Sequence, residues 1–430
     1  MTTALLIAVA AGMFAVELLF LPLPGIQQDE AVFVAPYLSG VPIFFSIQLG
    51  DVPVPVMALE YVGMTKSWLY WPIFAIWEPG VWSMRLPVCF VGVLTLLVFA
   101  ATVRRASSGP LAVCAALLLA TDATFLLTNT FDWGPVCLLL LATAGISFFL
   151  QRFVATGRRG LLAAAFFIAG VAVWHKALFF AVLVGMAAGW VTAFHEQVRP
   201  RLVWRNFVVA SLAFCLGAAP LIAFNIHAPL ATFRAAQQLP PTPFSEKLMM
   251  LRNTLNGRAL EHYMIRSEPG ERIPLTGAPL EELVESWYRE TSLFPGSFLL
   301  GGLVLSLLVF PFLGRSRLFP LLLFGWVASG VAAGLMLAFR SAGGGPHHTV
   351  LLYPAPHLLV AGTAFALLER FRKALLLAVA GCALVAASNL LLLAQYHSAA
   401  RSNGFSVYWT DALDNLAAAV RESPLPVVAL

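Results

Sequence analysis

Apolar residues run along this chain in long continuous blocks, separated by short polar turns. Eleven blocks reach or approach the length of a membrane span: 3–23, 82–103, 110–128, 134–151, 160–174, 177–194, 207–226, 294–313, 317–338, 349–368 and 374–394. A helix needs about 20 apolar residues to cross a hydrocarbon core of about 30 Å. The fifth block is short and predicts a tight hairpin with the sixth around His175 and Lys176. The blocks are continuous rather than alternating, which argues against a transmembrane β-barrel. The fold class predicted is all-α, a polytopic transmembrane helical bundle.

Composition agrees. The 430 residues are 60% hydrophobic and 11% charged, with a mean hydropathy of +0.84. No set of soluble domains needs so much apolar surface. No Lys or Arg precedes the first block, and Glu17 interrupts it. A cleaved signal peptide has a basic start and an unbroken apolar core, so an uncleaved first span is expected. All five cysteines lie inside apolar blocks with no CxxC spacing. They read as small core residues, not as a disulfide framework or a thiolate metal site.

The formal net charge of +5 is a signal of topology. One set of short loops holds Arg104, Arg105, Arg152, Arg158, Arg159, Arg199, Arg201, Arg205, Arg315, Arg317, Arg370, Arg372 and Lys373, thirteen of the 26 basic residues, against the acids Glu196 and Glu369. All these loops fall on one side of the eleven-span topology, and the positive-inside rule makes that side cytoplasmic. The other side receives loops 24–81 and 227–293 and a short tail, 395–430, so that residues 1–394 form the membrane domain. No basic patch interleaved with aromatics points to nucleic acid; membrane lipids are the expected surroundings.

Within the first large loop, residues 61–77 are aromatic and mostly apolar but contain Lys66 and Pro72. They predict a helix lying in the membrane interface, where Trp and Tyr rings prefer the headgroup level, in preference to a re-entrant plug. In the second loop, Pro240-Pro241-Thr242-Pro243 forms a stiff entry. Residues 244–289 then mix Arg, Glu and Leu at helical spacing, as expected of short helices forming a lid.

The chemistry-bearing residues collect on the side away from the Arg-rich loops. Asp29 and Glu30 follow the first span, Asp132 lies in the turn after the third, and His175 and Lys176 follow the fifth. Arg340, a glycine run, and His347-His348 follow the ninth. The carboxylates Asp29, Glu30 and Asp132 are the catalytic candidates. A carboxylate at the membrane boundary can take a proton from an attacking hydroxyl, or hold a divalent metal, for which Asp29 is the candidate ligand. As the bland alternative, Asp29 and Asp132 are helix caps and Lys176 snorkels. The cations Lys176, His175, Arg340, His347 and His348 are candidates for binding a substrate phosphate. The glycines before His347 let backbone N–H groups approach an anion. Two histidines at i and i+1 do not face each other on a helix, so a metal shared between them needs a ligand from elsewhere.

In order, these features resemble the polytopic glycosyltransferases of the GT-C fold, in the branch of protein O-mannosyltransferases and aminoarabinose transferases. Asp29-Glu30 matches the acidic pair that opens the first outer loop in that family. Arg85-Leu86-Pro87 matches its Arg-Leu-Pro at the second span, and Asp132 its second acid. Of the family's Thr-Lys-Gly after the fifth span only the lysine carries over, in His175-Lys176-Ala177. Residues 347–356 resemble its late histidine-rich segment loosely. The resemblance covers roughly residues 1–200 and 340–370. It implies a GT-C-like bundle with interfacial helices in the first outer loop. It also implies an inverting glycosyltransferase that takes a hexose or pentose from a polyprenyl-phosphate-linked donor, with an acceptor the sequence does not specify. A bacterial inner membrane, with the site facing the periplasm or exterior, is the expected location. Two other classes compete. A transporter or lipid flippase places ionisable groups and broken helices near the midplane. A non-catalytic scaffold leaves the one-sided polar cluster without a purpose.

Overall fold

Long apolar stretches leave the backbone one economical choice in a bilayer, since a helix satisfies its own N–H and C=O groups. The computed structural model describes residues 1–23, 25–37, 43–131, 133–264, 296–370 and 375–403. In chain order the helices are α1 (Thr2–Phe20), α2 (Gln28–Val34), α3 (Thr65–Phe74), α4 (Val81–Ala106), α5 (Gly109–Thr121), α6 (Ala123–Thr130), α7 (Val136–Thr156), α8 (Arg159–His175), α9 (Phe179–Ala193), α10 (His195–Val198), α11 (Trp204–Gly217), α12 (Ala219–His227), α13 (Ala231–Gln238), α14 (Phe244–Leu255), α15 (Glu261–Met264), α16 (Leu299–Val309), α17 (Phe319–Ala338), α18 (Pro346–Thr349), α19 (Ala355–Arg370) and α20 (Leu375–Asn403).

Each of the eleven expected spans falls on one of these helices or helix pairs. Among the described residues, six segments are long and apolar enough to cross a membrane, and nine are if each bent pair counts as one span. The bends are 64° between α5 and α6, 97° after α9, and 64° between α11 and α12. Helix α8 and residues Leu299–Leu313 are apolar but shorter. At the other end of the chain, α20 continues to Asn403, beyond the expected end of the last span at 394.

Small residues let these helices approach closely. A Cβ on Gly170 of α8 would meet the Phe214 carbonyl of α11, and one on Gly217 of α11 would meet the Phe167 carbonyl of α8. Small residues at crossing points are how membrane helices bring their backbones together. Hydroxyls inside the bundle turn back on their own helix: Thr95, Thr128 and Thr143 each donate to the carbonyl four residues earlier. That satisfies a polar group without water.

The break between α5 and α6 has a defined chemistry. Asp122 is fully buried there and caps α6, accepting from the Phe125 N–H at 2.9 Å. Its other oxygen lies 3.2 Å from His357 Nε2 and 3.4 Å from the Tyr353 hydroxyl. Tyr353 donates to the Thr254 carbonyl at 2.8 Å, and the Thr254 and Thr349 hydroxyls are 2.5 Å apart. This buried network ties α14, from the second large loop, to α18 and α19.

The first large loop departs from the all-α expectation. It carries the predicted helix, as α3, but also a three-stranded antiparallel sheet of β1 (Phe45–Leu49), β2 (Val52–Leu59) and β3 (Val62–Gly63). The β2 segment is Val-Pro-Val-Pro-Val-Met-Ala-Leu. Its prolines sit where the two-residue β3 does not reach, so their missing N–H groups forgo no ladder bond on that side. The sheet docks on the end of α8. Val62 bridges Lys176 in antiparallel fashion, the Ala177 N–H donates to the Tyr61 carbonyl at 3.2 Å, and Trp174 Nε1 donates to the Val56 carbonyl at 3.0 Å.

Candidate active site

Asp29 stands in the first turn of α2. Its backbone N–H is held by the Gln27 side chain at 2.6 Å, and its side chain is half-buried. Gly134, in the turn between α6 and α7, has φ +57°, and a Cβ there would lie 3.7 Å from Asp29 Oδ2. The carboxylate therefore sits directly over that turn. Asp132, in the same sequence segment, lies outside the described residues.

Lys66 approaches from α3. It is fully buried, donates to the Gly134 carbonyl, and lies 4.4 Å from the centre of the Phe33 ring. Lys176 approaches from the α8–α9 turn, buried at 4% exposure. Burial lowers its ammonium from 10.5 to about 7, with the Asp29 charge pulling the other way. The first of these causes reflects the cost of moving a charge out of water, the second a nearby opposite charge. Tyr61 completes the rim. Burial first, and then the Glu60 and Asp29 carboxylates, raise its phenol above the ordinary value.

Histidines line the same region. His175 is buried, with Nδ1 3.3 Å from the Gly63 carbonyl and Nε2 without a hydrogen-bond partner. His347 and His348, half-buried, have ring centres 4.2 Å apart and unpartnered Nδ1 atoms. Both lie within electrostatic reach of Lys176. The structure thus brings Asp29, Lys176, His175, His347 and His348 to one end of the bundle and adds Lys66 and Tyr61. Sequence reasoning passed over Lys66 as one polar residue in an interfacial helix. A lysine at the start of such a helix, facing inward, was the available signal.

Two expected members are elsewhere. Glu30, the neighbour of Asp29, faces the opposite way. Both of its oxygens meet Arg85 at 2.9–3.2 Å, with both side chains at zero exposure. Arg85 also donates to the carbonyls of Leu21 at 2.8 Å and Gly25 at 2.6 Å. A buried charge is tolerable only when paired and hydrogen-bonded, and this pair fastens the start of the first loop to α4. Glu30, expected as a catalytic candidate, is thus paired with Arg85. Arg340 is exposed and donates to the Gln237 carbonyl at 3.3 Å, on the segment leading to α14. Lys247 of α14 takes the inner place. Its ammonium donates to the carbonyls of Leu337, at 3.2 Å, and Phe339, and its charge acts on His348. Among the described residues, no three His, Cys, Asp or Glu side chains gather in a group that could hold a metal.

One carboxylate beside two buried ammonium groups and a histidine pair, at the end of apolar helices, suits an anionic lipid headgroup. Residues 62–224 match the family described as dolichyl-phosphate-mannose-protein mannosyltransferase. Two solved proteins share the architecture. One is ArnT from Cupriavidus metallidurans bound to undecaprenyl phosphate, at 14% identity and TM-score 0.54 over 94% of this chain and 77% of that one. The chain has the GT-C fold. The other is the Archaeoglobus fulgidus oligosaccharyltransferase, whose apo form aligns at 13% identity and TM-score 0.52 over 97% of this chain. The form of that enzyme tethered to an acceptor peptide with the NVT sequon aligns at 14% and 0.54. The chain spans 58% of the length of the apo archaeal enzyme. No curated protein sequence matches the chain.

Proposed function

We propose that this protein is a membrane glycosyltransferase that moves a sugar from a polyprenyl-phosphate carrier to an acceptor hydroxyl, with inversion. The single observation that carries the reading is the Asp29 carboxylate beside the buried ammonium groups of Lys66 and Lys176. The fold supports it, as does the family matched by residues 62–224.

Asp29 accepts the proton of the acceptor hydroxyl, and the oxygen forms a bond to the anomeric carbon. The bond from that carbon to the phosphate oxygen breaks, and its electron pair leaves with the polyprenyl phosphate. Lys66 and Lys176 offset the charge that builds on the departing phosphate, with His347 and His348 beside it. Cations preset in a dry site act strongly on such charge because no water must reorganise. The lipid tail stays among the helices while the phosphate meets the lysines. Asp132 is the candidate for orienting sugar or acceptor. The basic loops at the opposite end support a cytoplasmic placement of that end, and with it a site on the periplasmic or exterior side of a bacterial cell membrane.

The test is transfer of labelled sugar from a polyprenyl-phosphate donor by purified protein, with Asp29→Asn as comparison. General-base removal is expected to cost about a hundredfold to ten-thousandfold in rate, with the thermal transition unchanged. A near-wild-type rate in Asp29→Asn removes the assignment. Absence of any transfer by the wild type, with lipid moved across vesicles instead, supports a flippase.

A further inference from the structure

Among the helices lies a second region whose lining includes none of the residues assigned to sugar transfer. An apolar crevice runs between α4, α7, α9, α17 and the start of α19. A more polar vestibule adjoins it at the Arg-rich end of the bundle. The two share Ala106, Gln151, Trp190, Phe194 and Leu321 as walls, so they lie side by side. Along α9 the apolar part extends from Val182 to Phe194, about 18 Å at 1.5 Å per residue. One leaflet contributes about 15 Å to a 30 Å hydrocarbon core, so the crevice has the depth of one acyl chain.

The mouth carries positive charge. Arg201, half-buried, and Arg317, exposed, both line the vestibule. Arg201 is braced by donating through Nε and Nη2 to the Val154 carbonyl at 3.2 and 3.0 Å. Where crevice and vestibule meet, Trp190 Nε1 and Gln151 Oε1 are buried and have no hydrogen-bond partner. A buried donor and acceptor left open are costly unless something arrives to satisfy them.

We propose that this space binds an anionic phospholipid from the leaflet at the Arg-rich face. The headgroup phosphate lies between Arg201 and Arg317, the glycerol-ester region meets Trp190 and Gln151, and one acyl chain fills the crevice. The charge pattern selects this occupant over the tail of the polyprenyl carrier. That tail enters from the opposite end and has no second anionic group to meet two arginines.

Nanodiscs of phosphatidylcholine doped with brominated-chain phosphatidylglycerol or brominated-chain phosphatidylcholine test this. The Trp190 signal is the difference in fluorescence between wild type and Trp190→Phe. Two basic residues at a membrane surface favour an anionic headgroup about thirtyfold. The mole fraction of brominated phosphatidylglycerol that half-quenches Trp190 is expected to be lower than that of brominated phosphatidylcholine by about this factor. The double variant Arg201→Ala/Arg317→Ala, folded by its thermal transition, is expected to abolish the preference. Should that pair not fold, Arg201→Gln and Arg317→Gln, tested singly, are each expected to lessen it. Equal quenching by the two lipids, or an undiminished preference in folded variants, overturns the proposal. Relief of quenching by added polyprenyl phosphate also overturns it and assigns the crevice to the carrier.

Discussion

Lys176 gives the account its sharpest pH signature. Burial brings its ammonium from 10.5 to about 7. At about 1.36 kcal/mol per unit, that displacement corresponds to about 5 kcal/mol of cost for holding the charge in the empty site. Above pH 7 the free site therefore holds a neutral amine. A sugar-phosphate-polyprenyl diester keeps one negative charge throughout this range, so the donor itself does not titrate. Binding it restores the charge on Lys176 and takes up a proton. The second-order rate kcat/KM is then expected to fall about tenfold per pH unit above 7, reaching about a hundredfold by pH 9. Lys176→Arg, whose guanidinium remains charged, is expected to lose that alkaline fall, while Lys176→Met is expected to be slow at every pH. The assay is transfer from labelled donor, at concentrations well below KM, between about pH 6 and pH 9. A wild-type profile that is flat or rising above pH 7 refutes the reasoning. So does an Arg variant that falls in parallel with the wild type. The same shift bears on stability with a definite sign. Between about 7 and 10.5 the unfolded chain binds a proton that the folded chain lacks, so stability without donor rises with pH across that window.

Breaking the Glu30–Arg85 pair on one side takes an ionic partner from a fully buried charge. Arg85→Met is expected to cost about 3–5 kcal/mol, and pairing it with Glu30→Met to recover much of the loss; denaturant titration of the purified protein measures both. Gly63→Ala would place a Cβ 2.5 Å from Trp174 Nε1, so the sheet is expected to lift from α8 and activity to drop even where helix content by circular dichroism is intact. Lys66→Gln keeps a donor for the Gly134 carbonyl but removes the charge. It is expected to raise KM for the donor at least tenfold, as for a lost charge-assisted hydrogen bond, a value read from initial rates.

The bundle was legible because membrane spans announce themselves by length and apolarity, and because thirteen basic residues fall on one side of the predicted topology. Asp29, Lys176 and the His347-His348 pair were legible as polar groups at the ends of spans. What hydropathy does not carry is partnership across the chain. Glu30 and Arg85 are 55 residues apart in sequence and were read separately, although two charges this deeply buried need each other. Lys66 joins the site only because α3 folds under the α6–α7 turn, a tertiary contact with no periodic trace. The sheet was missed because prolines in β2 break the alternation that marks a strand. The bend at Asp122 was missed because a single acid in an apolar run also reads as an isolated charge; its partners Tyr353 and His357 come from more than 230 residues away.

In the proposed reaction the phosphate of a carrier lipid rests against two buried lysines at the outer end of the bundle, with a carboxylate in range of the sugar. An experimental structure of the protein with polyprenyl phosphate bound measures this directly. The account predicts phosphate oxygens within about 3.2 Å of both Lys66 Nζ and Lys176 Nζ, with Asp29 beside the anomeric position. A phosphate seated at the Arg-rich end, or touching neither lysine, contradicts it.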